Sequence, residues 1–279
     1  MNAGFSGSAA ALTLTLALYL LGAVLLGANL FLRRSGLLAA GRGAALFGVI
    51  LHAAAIGLRC VEVHRAPFTN PAESLSLVAW VVVLVYLGTE LLWRLSASGP
   101  FALGLSFLLV LLGAALGGDS GTGVSAASAP LLSERIVTLH ILAFTTAFAA
   151  FALAFCCAAL YVVENRILKS KHGLIWMKRL PPLLTVEAAS FTLAAIGFPL
   201  LTLGILAGLV RAVSGGLGTA WQLDPKTLLA YAVWGVYGAY LWGRLGAKWP
   251  PLRTAYILLV GLPLCMLLLL VPSAAHRFG

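Results

Sequence analysis

The chain has 279 residues, of which 61% are hydrophobic and 9% are charged, and its formal net charge is +10. This composition excludes a water-soluble domain, because too little polar surface would remain to face solvent. The positive charge does not indicate a nucleic-acid partner, since no basic face with interleaved aromatic residues lies outside the apolar stretches. Membrane topology explains the charge better.

Eight apolar stretches follow one another along the chain, separated by polar and Gly/Ser-rich segments. A spanning helix needs about 20 apolar residues. The first stretch is too long for the core of a signal peptide and has no basic residue before it, so we expect a retained helix. The sequence predicts an all-α integral membrane protein of about eight transmembrane helices, a single polytopic domain over residues 1–279. We place the helices at roughly 8–33, 44–62, 74–95, 100–117, 136–166, 187–212, 226–245 and 253–272.

Basic residues fall on alternate loops of this arrangement, where twelve of the 18 Lys and Arg residues lie on one side. The positive-inside rule makes that side cytoplasmic. Both termini are therefore predicted to be extracytoplasmic, in a multi-pass protein of the cell's inner (cytoplasmic) membrane, with lipid as a partner. The basic residues are Arg33, Arg34 and Arg42, then Arg94, then Arg166, Lys169, Lys171, Lys178 and Arg179, and finally Arg244, Lys248 and Arg253.

Histidines are the first candidates for chemistry, because hydrocarbon penalises ionisable groups inside a membrane. His140 lies near the outer end of the fifth helix and His276 follows the eighth, while His64 is in an outer loop and His52 is near the middle of the second helix. Neutral imidazole is a common axial ligand of haem iron, and two imidazoles from separate helices could hold one haem. The alternative is that each histidine only forms interfacial hydrogen bonds.

The outer segment before the seventh helix contains Trp221, Asp224 and Pro225. Asp224 is a good N-cap and Pro225 a good first helical residue, so capping alone accounts for both. Trp221 can anchor at the level of the lipid headgroups. The functional alternative is an aromatic platform beside a porphyrin face.

A Gly-x-Pro-Leu sequence occurs twice, at 197–200 in the sixth helix and at 261–264 in the eighth. Proline frees a backbone carbonyl and kinks a spanning helix, which is tolerated beside a cavity or a packed neighbour. Two kinks could shape a ligand cleft, and with the buried His52 they motivate an alternative function, a secondary transporter of a small metabolite. Inverted repeats are usual in transporters, yet these two helices run in the same direction.

Several of these segments together resemble the cytochrome c assembly protein family, the group of haem-handling membrane proteins that includes CcsA, CcmC and CcmF, and especially its short HemX-like branch. The resemblance covers roughly residues 45–276 in the order of the family. The matching segments are 70–75 with Trp80, 139–144, 197–204, and Trp221 with 224–226 followed by Trp234 and Tyr240.

The resemblance implies a haem-binding fold with non-covalent, b-type haem at the outer membrane face. Trp221, Asp224 and Pro225 would belong to the loop that lies against haem, and His140 and His276 would be the axial ligands of its iron. The chain departs from the family pattern at Leu223, Thr227 and Trp242, where a second tryptophan, a glutamate and an intramembrane histidine are usual. The loss of that histidine argues against a transmembrane haem relay and favours the HemX-like branch.

We therefore expect a non-catalytic haem-handling protein of cytochrome c maturation that works with other assembly proteins. The sequence has no nucleophile–base pair, metal-ligand spacing or phosphate loop that indicates an enzyme. It also lacks a Cys-x-x-Cys-His or Cys-x-x-Cys motif, which argues against covalent haem and a thioredoxin-like centre. The alternatives are the transporter above and a HemX-like regulatory subunit linked to haem biosynthesis.

Overall fold

The computed structural model describes residues 6–64, 70–116, 135–169, 180–214 and 220–271, and these residues form helices and short connections without a strand. Two short 3-10 segments, Ser96–Ser98 and Ala220–Leu223, precede the fourth and seventh helices. The predicted all-α class is confirmed. The α-helices are α1 (Gly7–Leu32), α2 (Ser35–Val63), α3 (Pro71–Trp93), α4 (Gly99–Leu116), α5 (Arg135–Lys169), α6 (Leu183–Ser214), α7 (Pro225–Leu245) and α8 (Pro251–Leu270).

Seven of the helices in the described part of the chain are long and apolar enough to cross a membrane, which confirms an integral membrane protein. The helix outside this set is α7, whose 21 residues would extend about 32 Å at 1.5 Å per residue. That length suffices for the hydrocarbon core. The eighth span therefore stays a prediction, and so does the placement of both termini outside.

The predicted helix boundaries agree with the structure to within four residues, except at the start of α2. This helix begins at Ser35, nine residues before the predicted position 44. The segment was predicted as a loop because it contains Arg42 and several glycines. In the structure Arg42 forms an ion pair with Glu90 of α3, so its charge is compensated within the helical arrangement.

Contacts divide the chain into two compact units, the first comprising Met1–Gly123 with Leu174–Pro181 and the second Val124–Gly173 with Pro182–Gly279. The single domain over residues 1–279 stays a prediction. In the first unit α1 contacts α2 and α4, while α3 also contacts α2 and α4. In the second unit α5 contacts α6 and α8, while α7 contacts the same two helices. Each unit is thus a closed ring of four helices with the same order of neighbours.

Buried polar side chains connect three helices of the first unit. His52 is fully buried, and its Nδ1 lies 3.1 Å from the hydroxyl of Tyr19 on α1. Its Nε2 lies 2.9 Å from the hydroxyl of Ser76 on α3. Both ring nitrogens therefore have partners, as buried polar groups require. His52 is a hydrogen-bonded core residue at the centre of this unit.

The repeated Gly-x-Pro-Leu sequence has a packing explanation in the second unit. The rings of Phe151 on α5 and Tyr237 on α7 are stacked with their centroids 3.5 Å apart. A Cβ atom at Gly197 would lie 2.6 Å from Phe151, and one at Gly261 would lie 2.7 Å from the Tyr237 hydroxyl. The two glycines thus admit the two members of one aromatic pair, as small residues do at helix interfaces in membranes.

An ion pair links the second and third helices of each unit, with the charges reversed between units. In the first unit Arg42 of α2 pairs with Glu90 of α3. In the second unit Glu187 of α6 accepts from Arg244 of α7 at 2.6 Å. In both cases one partner is near the start of its helix and the other near the end, on the side predicted to be cytoplasmic.

This reversal leads to a prediction about exchanged charges. Glu187→Arg or Arg244→Glu alone places like charges together, and each is expected to lower the stability of the folded state by roughly 1–3 kcal/mol, between the values for exposed and buried pairs. The double exchange E187R/R244E reproduces the charge order of the first unit and should recover most of the loss. Thermal unfolding of the four proteins in one detergent provides the measurement. A double exchange no more stable than the single variants would contradict the prediction.

Candidate functional site

His140 is held at the sixth position of α5 by a hydrogen bond to the neighbouring helix. Its Nδ1 lies 2.8 Å from the backbone carbonyl oxygen of Gly204 on α6. A carbonyl only accepts, so Nδ1 carries the proton and donates it. In the neutral ring Nε2 then carries the lone pair, which is the atom a metal ion would take. This backbone bond fixes both the tautomer and the orientation of the imidazole.

Two glycines of α6 make the close approach of α5 possible. A Cβ atom at Gly208 would lie 2.9 Å from Cε1 and 3.0 Å from Nδ1 of His140. One at Gly204 would lie 2.6 Å from the ring of Phe144, whose centroid is 4.8 Å from that of His140. The two glycines are four residues apart and therefore share a helix face. Together they form a flat surface against which the imidazole and the phenyl ring lie.

The segment before α7 is built by capping. Asp224 has extended backbone angles, and its Oδ1 accepts from the backbone N–H of Lys226 at 2.9 Å. Pro225 occupies the first helical position, where a missing N–H costs nothing. Trp221 lies in the 3-10 segment Ala220–Leu223, is half-buried, and its backbone carbonyl accepts from the N–H of Asp224 at 3.2 Å. Capping thus explains why Asp224 and Pro225 stand at the start of α7, but it does not explain the aromatic side chain of Trp221.

Lys226 connects the two parts of the site. It lies close enough to His140 and to Asp224 to interact electrostatically with both side chains. The first turns of α5, the last turns of α6 and the first turn of α7 therefore lie at one end of the second unit. By the predicted topology this end is extracytoplasmic. This end carries an oriented imidazole, an ammonium group, a carboxylate that caps α7 and an indole ring.

The other predicted histidines have different positions. His276 lies outside the described residues. His64 belongs to the first unit, where it is exposed and ends α2 in a left-handed conformation with φ 52°.

The comparisons with known proteins decide the family. The model described as "Cytochrome C assembly protein" matches residues 68–275, which is more than half of the chain. The chain belongs to the cytochrome c assembly protein family. The resemblance identified in the sequence is confirmed.

Two proteins named "Cytochrome c biogenesis protein CcsA" illustrate the similarity. One from Guillardia theta is 26% identical over 236 residues, covering 79% of this chain and 78% of the relative. One from Microcystis aeruginosa is 28% identical over 253 residues, covering 74% of this chain and 75% of the relative. A "Protein HemX" from Bacillus subtilis is 29% identical over 181 residues, covering 65% and 64%. Both branches of the cytochrome c assembly family are thus represented among the relatives.

The three departures of this family member from the expected family pattern, at Leu223, Thr227 and Trp242, all lie in its second unit. Leu223 stands where a second tryptophan is usual, and its side chain is 76% exposed in the 3-10 segment. Trp242 is at the position where the resemblance led us to expect an intramembrane histidine in larger members. It is 63% exposed and contacts Trp249 edge-on, with ring centroids 5.6 Å apart. An indole cannot replace an imidazole as an iron ligand, so this position supplies none.

Sequence reasoning about this family member missed the supporting residues Gly204, Gly208 and Lys226. Their contribution depends on which helix faces which, and that is a tertiary property. The spacing of the two glycines was the available signal, because small residues four apart mark close helix packing in membranes.

Proposed function

We propose that the chain binds haem at the extracytoplasmic end of its second unit and presents it for cytochrome c maturation. Membership of the cytochrome c assembly family and the similarity to CcsA proteins support a role in cytochrome c biogenesis. The inner membrane is the proposed location, as the basic loops require a cytoplasmic side. The proposed role is to hold and orient haem, without catalysis by the chain itself.

The observation that carries this proposal is the hydrogen bond from His140 to the Gly204 carbonyl. Metal-ligating histidines almost always donate their other ring N–H to a carboxylate, a carbonyl or water, which orients the ring and raises its basicity. His140 has this arrangement.

The remaining residues of the site suit a porphyrin. Haem would supply an iron centre that takes histidine ligands, an apolar ring and two propionates. His140 and His276 would hold the iron. Trp221 would lie against the ring face, the ammonium of Lys226 would pair with a propionate, and Asp224 with Pro225 would fix the segment that carries them. Haem so held is non-covalent and b-type. Other cytochrome c assembly proteins would receive it.

Titration of the purified protein with haemin tests the proposal. We expect a Soret band that saturates at one haem per chain, and haem that is extracted completely by acidified organic solvent because it is not covalently attached. A Soret shift no larger than that given by empty detergent micelles would contradict haem binding. Haem that stays with the protein after extraction would contradict the non-covalent form.

The similarity to a HemX protein favours a second candidate, a regulatory membrane subunit linked to haem biosynthesis. Deletion of the chain in its own host separates the two functions. Loss of c-type cytochromes with unchanged non-covalent haem supports the assembly role, whereas altered non-covalent haem with normal c-type cytochromes supports regulation. The features that motivated a transporter, His52 and the repeated Gly-x-Pro-Leu sequence, have packing partners within the units that contain them.

A further inference from the structure

A cavity of about 540 Å³ lies at the opposite end of the second unit from His140. The last turns of α5 and the start of α8 form its walls. The residues that line it include Tyr161, Asn165, Lys169, Pro251, Arg253 and Tyr256.

The cavity is open, its walls are mostly apolar, and exposed cations stand at its rim. Lys169 and Arg253 line it, and Nη2 of Arg166 donates to the Tyr256 hydroxyl at 3.5 Å. The Arg253 guanidinium lies over the ring of Trp249, 4.0 Å from its centroid. Stacking of this kind leaves the N–H groups at the edge of the guanidinium directed outward. Lys169 and Arg253 are exposed at the open side of the cavity, and Trp249 orients the guanidinium of Arg253.

The described residues that line the cavity include no acidic side chain to neutralise these cations. The nearest carboxyl along α5 is that of Glu164, which is 4% exposed and does not line the cavity. Glu187 approaches Tyr161 but is paired with Arg244 at 2.6 Å. The two exposed cations therefore form a local positive potential that attracts an anion from outside the chain.

The position of the cavity indicates what kind of anion. α5 ends and α8 begins on the side of the basic loops, which the positive-inside rule makes cytoplasmic. Tyr256 is 43% exposed at this level, as is usual for residues of the aromatic belt. The cytoplasmic leaflet carries anionic lipids that attract basic residues at its surface.

We propose that this cavity binds the headgroup of an anionic phospholipid. The phosphate accepts from Lys169 and Arg253, and the tyrosine hydroxyls and the Asn165 amide provide further hydrogen-bonding groups. Pro250, Pro251 and Leu252 offer an apolar wall to the glycerol and the first methylenes of the acyl chains. Free inorganic phosphate is also an anion, but it has no apolar part that could contact this wall. We therefore assign the site to the lipid. The site is independent of haem binding.

Native mass spectrometry of the detergent-purified full chain, with added phosphatidylglycerol or phosphatidylcholine, tests this proposal. The wild type is expected to retain one phosphatidylglycerol in preference to phosphatidylcholine. In the double variant K169Q/R253Q the affinity for phosphatidylglycerol should fall on the order of thirtyfold, from about fivefold per cation. Lys169→Arg keeps the charge and should retain binding.

Arg34→Gln is the matched control, because it removes an exposed cation from a basic loop of the first unit. This variant should bind phosphatidylglycerol as the wild type does. Equal retention by K169Q/R253Q and the wild type, or an equal loss in Arg34→Gln, would overturn the site. Displacement of the lipid by millimolar inorganic phosphate would overturn the lipid as its occupant. Unchanged thermal unfolding without lipid shows that the double variant is folded.

Discussion

Replacing His140 with alanine is expected to lower haem affinity by at least about a hundredfold. Loss of a group that only orients a metal ligand costs up to about a hundredfold, and loss of the ligand itself should cost at least as much. At haemin concentrations that saturate the wild type, the variant should show only the Soret band of haemin in empty micelles. The expected cause is the loss of the oriented lone pair on Nε2, since Nδ1 donates to the Gly204 carbonyl. Absorption titration of both proteins in the same detergent provides the measurement.

His64→Asn is the control for this experiment. His64 is exposed and is also predicted to lie on the outer side, and asparagine tolerates its left-handed backbone conformation. The control should bind haemin as the wild type does. If both variants lose the Soret band, the loss is not specific to His140. If neither does, the iron ligand lies elsewhere.

Gly208→Ala is expected to weaken haem binding by roughly ten- to a hundredfold without touching the iron ligand itself. The added Cβ would lie 2.9 Å from Cε1 and 3.0 Å from Nδ1 of His140, closer than atoms of a side chain tolerate. The imidazole must turn away, and its hydrogen bond to Gly204 lengthens or breaks. The Soret maximum and the affinity for haemin, measured together, report on this displacement.

Gly235→Ala in α7 is the matched control, because a Cβ atom there meets nothing within 4 Å. Alanine favours a helix over glycine by roughly 0.5–1 kcal/mol, so both variants should remain folded. We expect Gly235→Ala to bind haemin normally. Equal affinities in the two variants would show that the packing of α6 on the ring does not position the ligand.

Most of the fold could be predicted because hydrophobic length alone determines where spanning helices lie. The exception, the start of α2, shows the limit of that signal. From its local sequence Arg42 resembles a loop residue. Its ion-pair partner Glu90 is 48 residues away in the chain and is not visible in that local sequence. A charge compensated by tertiary contact cannot be told from a solvated charge by its local sequence.

The candidate site was predictable only in part. His140 could be singled out from its depth in the membrane and from the family resemblance, and Asp224 from its capping position. The hydrogen bond to Gly204 could not, because it joins residues 64 positions apart. The repeated Gly-x-Pro-Leu sequence shows the converse case, in which a pattern that suggested a cleft serves the stacked pair Phe151 and Tyr237. The periodicity of the sequence predicts which residues share a helix face, whereas tertiary packing determines which residues that face contacts.

The most direct test of the central claim is a haemin titration of His140→Gly with and without added imidazole. Removal of the side chain leaves space for a free imidazole, which can take the place of the lost ligand. For the variant alone we predict only the Soret band of haemin in empty micelles, and in millimolar imidazole a wild-type-like band that elutes with the protein on gel filtration. A full-strength Soret band in His140→Gly without imidazole would contradict the assignment of His140 as the haem ligand.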